Sequence, residues 1–114
     1  MNLDDYQVKA ARTANDNADT KTALAVVGLG LAGEAGEAVD LIKKHVGHGH
    51  PLDVVKLEKE LGDVLWYVAV AAWYLGIPLS RVATKNIEKL WRRYPDGFST
   101  AASMNRAPHD TEGT

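Results

Sequence analysis

Apolar residues recur at three- and four-residue steps along four stretches of the chain, a spacing that is typical of amphipathic helices. The predicted helices run from Leu3 to about Asn17, Thr22 to about His45, Leu52 to Leu75 and Pro78 to about Arg93. No stretch alternates apolar and polar residues for long enough to predict a strand. The pattern therefore predicts an all-α, four-helix-bundle-like fold with at least ~60% helix.

Turn-forming residues separate the predicted helices. They lie at Asn15–Asp19, Gly47–Pro51, Gly76 and Tyr94–Gly97. After Phe98 the chain becomes rich in small and polar residues, which is typical of a mobile terminus. We therefore predict a folded domain over residues 1–99 and a mobile tail over residues 100–114.

Acidic residues interrupt the apolar face of the second predicted helix. On a wheel of about 100° per residue, Glu34 and Glu37 lie on or beside the stripe that carries Val27, Leu31 and Leu41. A solvated helix would place such residues on the opposite face. Two incidental acids on a charged surface are the simpler alternative for one pair taken alone.

The third predicted helix repeats this arrangement. Glu60 and Asp63 are also three residues apart, and the apolar arc with Leu57 and Val64 lies on the same side. Two helices joined by a short loop pack antiparallel, so the four acids are expected to converge. Clustered carboxylates need a compensating positive charge, and all-oxygen ligation favours Mg²⁺ or Mn²⁺ over zinc. Mg²⁺ in turn suggests phosphate chemistry.

Three sequence blocks in this order resemble the MazG-like nucleotide pyrophosphohydrolases of the all-α NTP pyrophosphohydrolase superfamily. The blocks are Gly33–Glu37, Glu60–Tyr67, and the closing segment that contains Asn86–Leu90 and Arg93–Pro95. Together they form an ExxE motif, a gap of 22 residues and an ExxD motif, and the resemblance covers about residues 22–98.

The resemblance implies a helical protein that forms a homodimer or homotetramer and hydrolyses a ribo- or deoxyribonucleoside triphosphate to the monophosphate and pyrophosphate, with Mg²⁺. House-cleaning of the nucleotide pool is one expected purpose. The metal ligands implied by motif position are Glu34, Glu37, Glu60 and Asp63. Substrate contacts are implied for Tyr67, Lys85, Asn86 and Lys89.

The expected reaction also needs a general base and cations. A carboxylate that is not fully committed to the metal, Glu37 or Glu34, is expected to take the proton of the attacking water. The charge of the leaving pyrophosphate is expected to be stabilised by basic residues among Lys43, Lys44, Lys89 and Arg93. Lys43 and Lys44 have an alternative role, because cations near a helix C-terminus interact favourably with its dipole.

The preferred base of the substrate does not follow from the resemblance. Some dCTP-directed relatives carry one tryptophan before the ExxE helix and another seven residues after its second glutamate. This chain has Asn15–Ala18 in the first region and Lys44 at the second position.

Composition narrows the expected partners and location. The 114 residues carry a net charge of −2, which argues against a generally basic protein that binds nucleic acid polymers or an anionic membrane. The longest apolar run, Val64–Ile77, is too short to span a bilayer. Without cysteine or an N-terminal secretory signal, a cytoplasmic location is expected.

Other motifs support competing interpretations. Gly28, Gly30 and Gly33 form a GxGxxG pattern, although a dinucleotide site also needs a preceding strand, and close helix contact is the favoured role of these glycines. A zinc site at the three histidines of residues 45–50 is a further alternative to a simple turn. A di-iron bundle is disfavoured because neither acid pair has a Glu-x-x-His motif.

Two other functions compete with the triphosphate hydrolase. One is a non-catalytic helical assembly protein, which would not need all four acids. The other is a phosphoribosyl-ATP pyrophosphohydrolase, which performs the same chemistry on another substrate. Trp66, Val70 and Trp73 lie away from the apolar arc of Leu57–Val68 on the third helix, so they predict either a subunit interface or packing against the first or fourth helix.

Overall fold

The computed structural model describes residues 1–15 and 18–105 and confirms the all-α prediction. Helices make up 77% of the described residues, and no strand occurs among them. The helices are α1 (Leu3–Ala11), α2 (Thr20–His48), α3 (Val54–Tyr74), α4 (Leu79–Arg93) and α5 (Thr100–Met104). The first four correspond to the predicted helices, although α1 is shorter and α2 is longer than expected.

The chain divides into two compact units, Met1–Leu79 and Ser80–Thr114. The first unit contains α1, α2 and α3. The second contains all of α4 after its first residue, and also α5, which begins where the sequence predicts a mobile tail. Ser99 caps α5 by accepting a hydrogen bond of 3.0 Å from the backbone N–H of Ala102. Residues 16–17 of the predicted loop and 106–114 of the predicted tail lie outside the described residues.

Side-chain caps and one glycine set the ends of α2 and the start of α3. Asp19 accepts a hydrogen bond of 2.9 Å from the backbone N–H of Thr22, and Asp53 does the same for Lys56 at 3.0 Å. Gly49 ends α2 with a φ of 71°, a left-handed conformation that glycine adopts without steric cost. The short connection of residues 49–53 then reverses the chain.

Helices α2 and α3 pair antiparallel, as the short connection predicts. Gly30 in the first half of α2 lies against Tyr67 in the second half of α3. Lys44 near the end of α2 shares a groove with Lys56 near the start of α3. A small apolar core between the helices of the first unit contains Ala10, Val27, Ala69, Val70 and Leu79.

The proposed subunit interface on α3 is wrong for Val70, and Trp66 is half-buried against the core of the same chain. Val70 is 0% exposed within the single chain and belongs to the core that also contains Ala10 of α1. The Trp66 indole N–H donates a hydrogen bond of 2.8 Å to the Thr13 hydroxyl, just after α1. Only Trp73 keeps substantial exposure, at 44%. The alternative, packing of this face against the first helix, is therefore confirmed for Trp66 and Val70.

The side chain of Gln7 ties α1 to the end of α3. Its amide nitrogen donates to the carbonyl oxygens of Ala69 at 3.2 Å and Ile77 at 2.9 Å. Its amide oxygen accepts from the backbone N–H of Leu79 at 2.9 Å. Gln7 is only 4% exposed, and both polar atoms of its buried amide have hydrogen-bond partners.

Much of the apolar surface of α2 is exposed in the single chain. Val39 is 61% exposed and Val46 is 78% exposed. By length and composition α2 also meets the criterion for a membrane-spanning helix. One such helix is weak evidence for a membrane protein, because apolar helices of soluble proteins meet the same criterion.

Candidate active site

Three of the four predicted acids converge between α2 and α3. One carboxylate oxygen from each of Glu34, Glu37 and Glu60 lies within 4.8 Å of the other two. Glu34 and Glu37 are three residues apart and therefore share one side of α2. Antiparallel pairing places Glu60 of α3 opposite them. The arrangement offers oxygen ligands from two helices to a single point.

Glu34 and Glu60 form the inner part of this cluster. The Oε2 atom of each is out of contact with solvent, and no group in the described residues donates a hydrogen bond to it. A hydrogen bond to Glu60, followed by burial and the negative charge of Glu37, raises the pKa of Glu34 to about 7. Two carboxylates can share a hydrogen bond only when one of them is protonated. The pair therefore favours binding of a proton or of another positive species between the two carboxyl groups.

Asp63 lies outside the group of three but close enough to act on it. Its charge is a further cause of the raised pKa of Glu34. Burial, and then the charge of Asp63, also raise the pKa of Tyr6. The side chain of Asp63 is exposed, in contrast to those of Glu34 and Glu60. Its role as a fourth metal ligand remains a prediction.

A polar groove of about 430 Å³ runs along α2 and α3 beside the acids. Glu37 and Glu60 line the groove at the level of the cluster, and Lys44 and Lys56 line it nearer to the loop that joins the helices. Gly33 and Gly36 lie in its wall, where the absence of side chains leaves the groove open. The groove thus joins the carboxylate cluster to a region that contains two lysines and Asp40.

Asp40 holds two of the predicted cations on α2. Its carboxylate oxygens lie 3.2 Å from the Lys43 ammonium and 2.9 Å from the Lys44 ammonium. Hydrogen bonds from Lys44 and then Lys43 lower the pKa of Asp40. Lys44 lines the groove, whereas Lys43 is not among the residues that line it. The geometry therefore favours Lys44 over Lys43 as a substrate contact.

Tyr67 and the α4 residues have different positions. Tyr67 is partly buried and its ring lies against the backbone of Gly30. The other predicted substrate contacts lie on α4 in the second unit, and their roles remain predictions; they are Lys85, Asn86, Lys89 and Arg93.

The structure excludes the dinucleotide-binding interpretation and gives no support to the zinc alternative. Ala25–Val27 are helical, so no strand precedes the GxGxxG pattern. His45 uses its Nδ1 to donate to the carbonyl oxygen of His50 at 2.7 Å. Within residues 1–15 and 18–105, the histidines of residues 45–50 do not form a group of converging metal ligands. They belong to the end of α2 and the loop after it.

One charged residue that lines the groove, Lys56, was not identified from the sequence. Lys56 is four residues before Glu60, and this spacing alone would have placed both on one side of α3. The predicted close contact at the glycines is correct only for Gly30, because Gly28 and Gly33 have open space around them. The sequence contains no signal that distinguishes Gly30 from the other two.

These features define an all-α protein with a carboxylate cluster of the kind that binds a divalent cation. The chain belongs to the MazG nucleotide pyrophosphohydrolase domain family, whose profile matches residues 23–98. Members of this family hydrolyse pyrophosphate bonds of nucleotides and depend on divalent metal ions.

A phage protein is similar over nearly the whole chain. The Gene 37 protein of Mycobacterium phage L5 is 36% identical over 114 residues, which cover 93% of this chain and 100% of the relative. Its name does not describe an activity. No solved structure matches the chain.

Proposed function

We propose that this protein is a Mg²⁺-dependent nucleoside triphosphate pyrophosphohydrolase that converts an NTP or dNTP and water to the nucleoside monophosphate and pyrophosphate. The main support is the pair of buried oxygens, Glu34 Oε2 and Glu60 Oε2, which lack any described donor. Buried polar atoms without partners are rare in folded proteins and need an explanation. A bound cation at this point supplies one.

The donor set fits a hard divalent ion. The converging ligands of Glu34, Glu37 and Glu60 are all carboxylate oxygens, which suit Mg²⁺ or Mn²⁺. Asp63 is proposed as an additional ligand because its charge acts on Glu34. When bound here, Mg²⁺ would neutralise phosphate oxygens and lower the pKa of a coordinated water.

The reaction places different demands on the carboxylates. Water attacks the α-phosphorus and the bond from that phosphorus to the bridging oxygen of the β-phosphate breaks, which releases pyrophosphate. We assign the proton of the attacking water to Glu37, because its side chain is exposed and it lines the groove. Glu34 is less suited to this role, since it faces Glu60 in the inner part of the cluster.

The groove beside the acids is the proposed binding surface for part of the triphosphate substrate. Lys44 and Lys56 line it together with three acids, so its charges would complement an anionic ligand once a bound cation offsets the carboxylates. Tyr67, Lys85, Asn86, Lys89 and Arg93 are retained as proposed substrate contacts from the family resemblance. A cytoplasmic location and the absence of nucleic acid and membrane partners are likewise proposals.

The two alternative functions predict different results. A helical assembly protein has no use for a cluster of carboxylates that raises the pKa of Glu34 to about 7. A phosphoribosyl-ATP pyrophosphohydrolase would share the metal site and would differ only in substrate. A screen of canonical and modified triphosphates, with phosphoribosyl-ATP included and phosphate measured after added pyrophosphatase, separates these functions.

Glu60→Gln provides the decisive variant. It keeps the side-chain shape and removes one metal-binding charge, so triphosphate hydrolysis should fall at least ~100-fold, the scale of losing a positioned electrostatic group. Glu58→Gln is the matched control, because Glu58 is an exposed acid on the same helix. Equal activity of the two variants would refute the proposed site.

We also propose that the protein forms a homodimer or homotetramer, and the exposed face of α2 supports this. Seven exposed small or apolar residues recur there at alternating steps of three and four, the spacing of a helix–helix seam. They are Ala25, Gly28, Ala32, Ala35, Val39, Ile42 and Val46.

Light scattering tests this assembly. The wild-type protein should have at least twice the mass of one chain at micromolar concentration. Val39→Glu should lower that mass, because it would bury a charge without a partner. Val8→Glu, on an exposed position of α1, is the control and should leave the mass unchanged. A monomeric wild type would contradict the proposal.

A further inference from the structure

Gly30 is the point at which an aromatic ring from α3 lies on the backbone of α2. A Cβ atom at residue 30 would overlap the Tyr67 ring, and it would lie 2.7 Å from the Tyr67 hydroxyl oxygen. Gly28 and Gly33 on the same helix have no such neighbour within 4 Å. Glycine in the middle of a helix is less stable than alanine, so Gly30 has a specific packing reason.

Tyr67 also contacts the aromatic ring of the residue before it on α3. Its ring meets the Trp66 ring edge-to-face, with centroids 4.9 Å apart and an interplanar angle of 85°. The Trp66 indole donates to the Thr13 hydroxyl, and that hydroxyl donates to the Ala10 carbonyl at 2.8 Å. The contacts therefore form a continuous series from α1 through two aromatic rings to the backbone of α2.

This series of contacts lies next to the acidic site. Gly30 is one helical turn before Glu34, and Tyr67 is two turns after Glu60. We infer that Gly30 and Tyr67 are positioning residues, which fix the separation of α2 and α3 at the distance where Glu34 and Glu60 meet. The effect on metal binding rests on the proposed function. Because a metal site tolerates only small displacements of its ligands, a change in helix separation should weaken binding.

Gly30→Ala tests this inference directly. The added methyl group must displace the Tyr67 ring or separate the helices, so the Mn²⁺ affinity measured by calorimetry should fall at least ~10-fold, the scale seen when a supporting contact of a metal ligand is lost. Gly47→Ala is the matched control on the same helix, because Gly47 lies outside both the proposed α2 seam and the groove. It should leave the Mn²⁺ affinity unchanged, because its new methyl group meets open space.

A second substitution should rescue the first. Tyr67→Leu removes the ring atoms that the new methyl group would overlap, so Gly30→Ala with Tyr67→Leu should recover most of the Mn²⁺ affinity lost in Gly30→Ala. A general loss of stability would not be rescued in this way. Wild-type affinity in Gly30→Ala, or a double variant as weak as Gly30→Ala, would overturn the inference.

A distance measurement separates this inference from the proposed function. The chain has no cysteine, so nitroxide labels can be attached to Val26→Cys on α2, an exposed position outside the proposed seam, and to Glu58→Cys on α3, and the labelled protein can be diluted with unlabelled protein. In metal-free protein, Gly30→Ala should lengthen the mean distance between the labels, and adding Tyr67→Leu should restore it. An unchanged distance refutes the positioning role. Failure of the wild type to bind Mn²⁺ refutes only the proposed function.

If Gly30→Ala does not fold, the double variant decides the question. Recovery of folding and of the label distance supports the inference, and failure to recover them refutes it.

Discussion

Two buried polar sites in the first unit, Gln7 and the pair Glu34 and Glu60, differ in how many hydrogen bonds their buried atoms make. Gln7 makes three hydrogen bonds, to Ala69, Ile77 and Leu79. Glu34 and Glu60 each have a buried Oε2 atom with no donor among the described residues. The first arrangement is complete within the folded chain. The second is complete only when a proton or a cation is added.

This difference indicates different roles for Gln7 and for the Glu34–Glu60 pair. A buried polar group whose partners are all backbone atoms stabilises the fold, and its loss removes those hydrogen bonds. A buried carboxylate without partners destabilises the unliganded fold and favours any cation that binds there. Whether a buried polar group has hydrogen-bond partners within the chain therefore distinguishes a structural role from a candidate binding site, without reference to the family.

Gln7→Leu should have the largest effect on stability. It removes three hydrogen bonds and leaves two carbonyl oxygens and one N–H without a side-chain partner, so the free energy of unfolding should fall by about 3 kcal/mol. Urea unfolding of the metal-free protein measures this. Glu34→Gln is the comparison and should cause no loss, because it removes like-charge repulsion. Equal destabilisation by both substitutions would show that the two positions do not differ as described.

Divalent metal should have the next largest effect. Mn²⁺ at a hundredfold excess over its dissociation constant should add about 2.7 kcal/mol to the free energy of unfolding, because it binds only the folded state. Gln7→Leu should keep this increment, since Gln7 lies away from the acids. Glu60→Gln should lose most of it. A melting temperature that does not respond to Mn²⁺ or Mg²⁺ in the wild type would contradict the metal site.

The sequence predicts the helices and the acid pairs better than the supporting contacts. Helical period and acid spacing are local properties, which is why the sequence alone singles out Glu34, Glu37 and Glu60, the three acids that converge in the fold. Trp66 and Val70 were assigned to one of two apolar surfaces, and only the fold shows that α1 covers them. Which helix covers an apolar face is a non-local property, and periodicity does not encode it.

The contact between Gly30 and Tyr67 is also non-local, and the sequence does not predict it. Nothing near Gly30 in the sequence indicates Tyr67, which is 37 residues further along the chain (67 − 30 = 37). The helix α5 was not predicted because its five residues are too few to show a period. Sequence reasoning therefore identified ligand candidates on each helix, whereas their separation and the groove beside them required the structure.

The smallest predicted effect is a pH dependence that should be present at the acids and absent at Gln7. The pKa of Glu34 is raised from 4.5 to about 7 in the folded protein, first by its hydrogen bond to Glu60. The folded state therefore binds a proton more tightly than the unfolded state does. This contribution to stability is complete below about pH 4.5 and is lost as the pH rises through about 7.

In metal-free protein, the unfolding free energy of the wild type relative to Glu34→Gln should accordingly decline across this range. Taking the difference between the two proteins cancels the titration of the histidines. Gln7→Leu should lower stability by the same amount at every pH, because no ionisable group is removed. A difference between wild type and Glu34→Gln that does not change with pH would show that the two carboxyl groups share no proton, and the acids would then resemble an ordinary solvated pair.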